Sequence, residues 1–218
     1  MSASLRDPYS PPGPGHEANP RSVRIFDAAS RCFSEKGFQA TTIIDIADAA
    51  GVSRPLVYKY FGDKDGLIDS VLRTIFAEWE SLNAIPHLTS GEHPERTAAE
   101  DLRAKFEDAI EFVRERPIFR TILQQDPQIV IRGHLEDLRQ CRRVSTESTR
   151  MILLAGIESG EFRQDLDEQA TTASVEMILF GLLERTLGLR PELSLDPSLV
   201  RATLELLLEG LRSKESAS

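Results

Sequence analysis

Apolar residues recur along most of this chain at spacings of three and four, the period of a helix with one buried stripe. Between Arg21 and Lys36 the stripe is Ile25, Phe26, Ala29, Cys32 and Phe33, and Gly37 stands where a helix end is expected. Thr42 is placed to cap a second helix that runs to Ala50 and stops at Gly51. Ser53 is placed to cap a third, with Arg54 and Pro55 in its first turn, where proline removes no intrahelical hydrogen bond. Asp63 is placed to cap a fourth, from Lys64 to about residue 85, with Leu67, Val71, Ile75, Trp79 and Leu82 on one face. The polar stretch "PHLTSGEHPERT" reads as a long loop, and further helices are expected at about 98–115, 117–125, 127–159, 167–188 and 197–213. No segment sustains the alternation of a half-buried strand, so the expected fold is all-α with about nine helices.

Residues 1–20, crowded with Pro, Gly and Ser, read as a disordered tail, and residues 214–218 as a second one. No apolar run reaches the roughly 18–20 residues of a membrane span, and no basic stretch leads into an apolar one at the N-terminus. The expected location is cytoplasmic, away from membranes. Cys32 and Cys141 lie far apart without a Cys or His at metal-ligand spacing, which reads as two reduced thiols; redox sensing by Cys141 is the alternative. No metal or cofactor is expected.

The net charge is -9, yet residues 20–62 hold Arg21, Arg24, Arg31, Lys36, Arg54 and Lys59 against Asp27, Glu35, Asp45 and Asp48. An acidic chain is a poor general polyanion binder. Contact with nucleic acid would be confined to this first part, with the acidic remainder facing elsewhere.

The segment "TTIIDIADAAGVSRPLVYKYF" has the spacing of a helix-turn-helix. Ile43, Ile46, Ala47 and Ala50 supply the buried side of its first helix, Gly51 permits the sharp turn, and Val52 fills the gap. Val57 and Phe61, four apart, are expected to face inward. Arg54, Pro55, Leu56, Tyr58, Lys59 and Tyr60 then form an outward surface. It combines a guanidinium able to bond a guanine edge, apolar atoms suited to a thymine methyl, and hydroxyl and ammonium groups suited to phosphates. This helix reads as a recognition helix for the major groove.

From Arg24 to Leu72 the chain closely resembles the N-terminal domain of the tetracycline-repressor (TetR) family of bacterial transcriptional regulators. The resemblance is carried by "GF.ATT", "DIA..AGVS", "Y.YF" and Lys64 at the start of the fourth helix. It implies a homodimer whose two recognition helices enter successive major grooves of palindromic double-stranded operator DNA. By position, Thr42, Tyr58, Tyr60 and Lys64 would contact phosphates, Arg54, Pro55, Leu56 and Lys59 would lie nearest the bases, and Ser53 would begin that surface. Ile44 departs from the polar or basic residue many members carry there. The implied division is a helix-turn-helix domain at 21–66 and a ligand-binding and dimerisation domain at 67–213.

The resemblance further implies an effector cavity in the second domain and a dimer interface on the last two helices. Val175, Ile178, Leu179, Gly181, Leu182, Leu204, Leu207, Leu208 and Leu211 are the interface residues expected, although intrachain core must account for some of them. For the unknown small-molecule effector the apolar choices are Trp79, Phe106, Ile110, Ile122, Leu123, Leu138, Cys141, Met151 and Met177. The polar ones are Arg132, His134 and Glu184. The same residue types also build ordinary core and surface.

Two other function classes compete. An enzyme finds no support in a nucleophile triad, a phosphate-binding glycine loop or a metal-ligand cluster. A helical protein-interaction module that has lost DNA binding suits the acidic total, but Arg54, Tyr58, Tyr60 and Lys64 argue against it. Repression is the commoner habit implied by the resemblance.

Overall fold

The computed structural model describes residues 19–84, 96–119, 121, 133–188 and 196–213. Eight α-helices lie among them: α1 (Pro20–Lys36), α2 (Ile43–Ala50), α3 (Arg54–Phe61), α4 (Lys64–Asn83), α5 (Ala98–Arg114), α6 (Leu135–Glu158), α7 (Glu168–Thr186) and α8 (Pro197–Leu211). The fold is all-α. Residues 120 and 122–125 of the expected helix at 117–125 and residues 127–132 of the one at 127–159 lie outside the described residues, as do both expected tails except Asn19 and Pro20. Among the described residues, the one ladder contact is an isolated antiparallel bridge between Phe162 and Arg212. No helix there is long and apolar enough to cross a membrane.

The chain divides into two compact units. The first takes the described residues of Met1–Ala77 and Ile118–Asp137, the second those of Glu78–Pro117 and Leu138–Ser218. In the first, α1 buries Ile25, Ala28, Ala29, Cys32 and Phe33, the stripe its periodicity predicts except for half-buried Phe26. Phe33 meets Phe38 with ring centroids 5.1 Å apart. Thr41 is fully buried in the loop before α2. Its hydroxyl donates to the Gly37 and Cys32 carbonyls at 2.7 and 3.0 Å, so no donor is stranded. Burial also pushes the Cys32 thiol above its ordinary pKa, which suits a packed, unreactive sulfur.

In the second unit α5 turns Leu102, Phe106, Ala109, Ile110 and Val113 inward, α6 Ile152 and Leu153, α7 Val175, Leu179 and Leu183, and α8 Leu204, Leu208 and Leu211. Trp79 packs edge-on against Phe112 at 5.4 Å, with the Arg116 guanidinium over the same ring. The N-terminus of α5 is satisfied twice over. Thr97 and Glu100 form a capping box, and the Glu161 carboxylate accepts from the Ala98 and Ala99 amides at 2.8 and 3.2 Å. The turn at Gly160, which has φ 78°, places Phe162 wholly inside the unit.

Candidate nucleic-acid interface

The recognition surface depends on how α2 and α3 are held. Thr42 caps α2 in a complete capping box: its hydroxyl accepts from the Asp45 amide at 3.2 Å, and the Asp45 carboxylate accepts from the Thr42 amide at 2.8 Å. Lys36, at the end of α1, is ion-paired to the same carboxylate. The Lys36 ammonium and then Thr42 hold the Asp45 carboxyl well below the usual carboxylate range.

Gly51 ends α2 in the left-handed region, at φ 63° and ψ 42°, where a side chain would be strained. Its amide bonds back to α2, and the Val52 amide reaches the Ala47 carbonyl at 3.0 Å. This makes the sharp turn that sends α3 across α2. Ser53 occupies the N-cap position of α3 but makes no capping hydrogen bond, so its hydroxyl remains unspent.

Within α3, Val57 is buried and Phe61 half-buried. The outward set follows the helical period: Arg54, Pro55, Tyr58 and Lys59 are exposed, Leu56 and Tyr60 half-buried. Tyr58 leaves 51 % of its surface open, and α3 carries no acidic residue. Ile44 of α2 is also exposed.

Two details were not visible in the motif. The Lys64 ammonium donates to the carbonyls of Gln39 and Thr41 at 3.2 and 3.1 Å, so it ties the start of α4 to the loop before α2. Gly66 lies so close to the end of α3 that a Cβ there would stand 2.1 Å from the Phe61 carbonyl oxygen. Asp63 caps α4 by accepting from the Gly66 amide at 2.8 Å.

The expected effector residues differ in burial among the described residues. Trp79, Phe106, Ile110 and Cys141 are buried, Met151 is half-buried, and Leu138 is exposed. Ile122, Leu123 and Arg132 lie outside the described residues. His134 belongs to the first unit, its Nδ1 2.9 Å from Asp137 Oδ2 and its Nε2 3.5 Å from Asp69 Oδ1. Met177 and Glu184 both line an open groove of about 1080 Å³ between α6 and α7, as does Gly181.

Sequence reasoning passed over the polar core beside that groove. Lys105 Nζ, from α5, donates to Asn83 Oδ1 at 2.7 Å and to the Ser145 carbonyl at 3.1 Å, and lies 3.8 Å from the Glu176 carboxylate of α7. Burial lowers the Lys105 pKa to about 8, with Glu176 opposing the shift. The legible signal was a charge on the apolar stripe of each helix: Lys105 follows Leu102 and precedes Phe106, and Glu176 sits beside Val175.

Of the expected interface residues, Val175, Leu179, Leu182, Leu204, Leu208 and Leu211 are buried within the chain itself, while Ile178 and Leu207 are half-buried and Gly181 is exposed. Ile178, Leu207 and Gly210 line a second groove, between α7 and α8, along with Leu206, which is 77 % exposed.

Comparison with known proteins agrees with this geometry. Residues 25–71, which contain α2, α3 and most of α1, match the model for bacterial regulatory proteins of the tetR family. The HTH-type transcriptional repressor KstR2 of Mycobacterium tuberculosis is 30 % identical over 156 residues, covering 69 % of this chain and 74 % of that protein. Its solved structure aligns over 91 % of this chain and 98 % of its own with a TM-score of 0.63 at 22 % identity. The transcriptional regulator FadR of Bacillus subtilis, solved in complex with stearoyl-CoA, aligns over 88 % of this chain and 100 % of its own with a TM-score of 0.62 at 20 % identity. Family match, relative and recognition helix agree: the chain belongs to the tetR family of bacterial regulatory proteins.

Proposed function

We propose that this DNA-binding transcriptional regulator is a homodimeric repressor, acting in the cytoplasm on a palindromic operator and released from it by a small-molecule effector. The observation that carries the reading is the outward surface of α3. Arg54, Pro55, Tyr58 and Lys59 stand exposed on a short helix whose other side is anchored by Val57. In this reading Arg54 and Lys59, with Pro55 and Leu56, read base edges. In the same reading Ser53, with its unspent hydroxyl, Tyr58 and Tyr60 bond phosphates, and Thr42 and Lys64 hold the start of α2 and the loop before it beside that surface.

Residues 21–66 form the DNA-binding domain in this reading, and 67–213 the effector and dimerisation domain. Dimerisation uses the apolar groove between α7 and α8, with Ile178, Leu206, Leu207 and Gly210. An open apolar groove along two helices, with Leu206 exposed and Ile178 and Leu207 half-buried, is what a twofold four-helix packing would cover. Effector binding favours a state in which the two recognition helices no longer match successive major grooves, about 34–36 Å apart. A coupling of about 1–3 kcal/mol is enough to change operator affinity roughly 5- to 150-fold.

The test is sedimentation of the protein alone and with a duplex it retards in a gel. A dimer that binds DNA as two protomers per site supports the reading. A folded monomer, or a dimer that retards no duplex in preference to random DNA, would instead support a protein-interaction module.

A further inference from the structure

We propose that the groove between α6 and α7 holds a small apolar molecule by a hydrogen-bond donor, a hydroxyl or an N–H, that meets the unpartnered carboxylate oxygen of Glu176. The proposal rests on the effector-controlled reading above and names the class of molecule its site would take.

Glu176 is only 6 % exposed, and its two oxygens are treated very differently. Oε1 accepts from the Thr149 and Ser145 hydroxyls at 2.5 and 3.3 Å and faces Lys105 at 3.8 Å. Oε2 is buried and has no hydrogen-bond partner among the described residues. The same holds for Oγ1 of Thr172, 5 % exposed and one helical turn earlier on the same side of α7. Two orphaned polar atoms four residues apart are unusual in a packed helix, because buried polar groups are nearly always paired. Both residues line the groove.

The chemistry of the surroundings selects the ligand. Lys105 already balances the Glu176 charge, so the free oxygen calls for a donor rather than a cation. A ligand hydroxyl can donate to Glu176 Oε2 while accepting from the Thr172 hydroxyl, which would satisfy both orphans at once. Met177, 73 % exposed, and Phe180, with the Arg142 guanidinium 5.3 Å from its ring, supply an adaptable apolar wall for the rest of the molecule. A groove of about 1080 Å³ has room for a fused-ring or long-chain skeleton.

The test is calorimetric titration of the full chain with 2-naphthol and with 2-methoxynaphthalene, which has the same skeleton and no donor. The wild-type protein should prefer 2-naphthol roughly ten-fold or more, the size of a hydrogen bond to a charged acceptor. Thr172→Val should reduce that preference. The double variant Lys105→Met, Glu176→Leu removes both buried charges together and should abolish the preference while still binding the ether. Failure to bind either compound, or an equal preference in wild type and double variant, would overturn the proposal. Operator binding on the same preparations separates the two ideas. Protein that binds an operator without donor preference loses this site and keeps the regulatory reading; protein with the preference and no operator keeps the site and loses that reading.

Discussion

Lys36 Nζ lies 2.5 Å from Asp45 Oδ1, which ties the last turn of α1 to the first turn of α2. Both side chains reach solvent, so the pair orients α2 more than it stabilises the protein. Lys36→Met should leave the melting temperature nearly unmoved while operator affinity falls several-fold, as gel retardation and thermal melting together would show. Because the Asp45 pKa is depressed, the contribution of the pair is complete above the ordinary carboxylate range and is lost only as pH falls through the lower folded value. Operator affinity should therefore show no loss traceable to this pair between about pH 5 and 8.

Arg54 and Lys64 should fail in different ways. Arg54→Ala should cost roughly 1–3 kcal/mol and relax preference at one base position. Lys64 spends two donors on the carbonyls of Gln39 and Thr41, so Lys64→Ala should weaken all sequences alike. Its salt slope should fall by less than the value of about one expected when a phosphate contact is lost. Competition binding across a salt series distinguishes the two. Equal loss of discrimination in both variants would contradict these roles.

Gly66→Ala tests the packing of α3 against α4. The new methyl would meet a backbone oxygen, which cannot rotate away, so the cost should be about 1–3 kcal/mol with displacement of the recognition helix. Denaturant unfolding would show the loss, and DNA binding should fall further than stability alone accounts for.

Lys105 carries the clearest pH dependence. With its pKa lowered to about 8 by burial, the unfolded chain holds a proton that the folded chain has lost between about pH 8 and the ordinary 10.5. The contribution of this group therefore makes the protein more stable as pH rises through that window, by on the order of 3 kcal/mol at most. Lys105→Met should remove this rise in a comparison of unfolding midpoints at pH 7.5 and 10. At pH 7 it should also destabilise by about 3–5 kcal/mol, because Glu176 is left buried without its partner. The double variant should recover most of that loss.

The DNA-binding half was readable because its signals are local. Thr42, Gly51, Ser53 and Asp63 each stand at a helix end, and the alternation of Val57 with its outward neighbours follows from the helical period alone. Lys64 starts α4, as its place after Asp63 predicts, but its partners lie 23 and 25 residues away, beyond any local rule. The second unit was harder for a physical reason. Periodicity identifies an apolar stripe without saying whether it faces the chain's own core or another copy, so Val175, Leu179 and Leu208 read like interface residues and are buried inside. The expected effector residues, apolar and polar alike, follow from residue type alone, whereas Lys105 and Glu176 interrupt apolar stripes and find each other across α5 and α7.

The most direct test of the central claim is selection of duplexes from random DNA by the purified protein, followed by titration of the winning sequence across a salt series. A palindrome bound with steep salt dependence, and lost or relaxed at one position by Arg54→Ala, is the predicted result. A folded protein that enriches no sequence above background would contradict it.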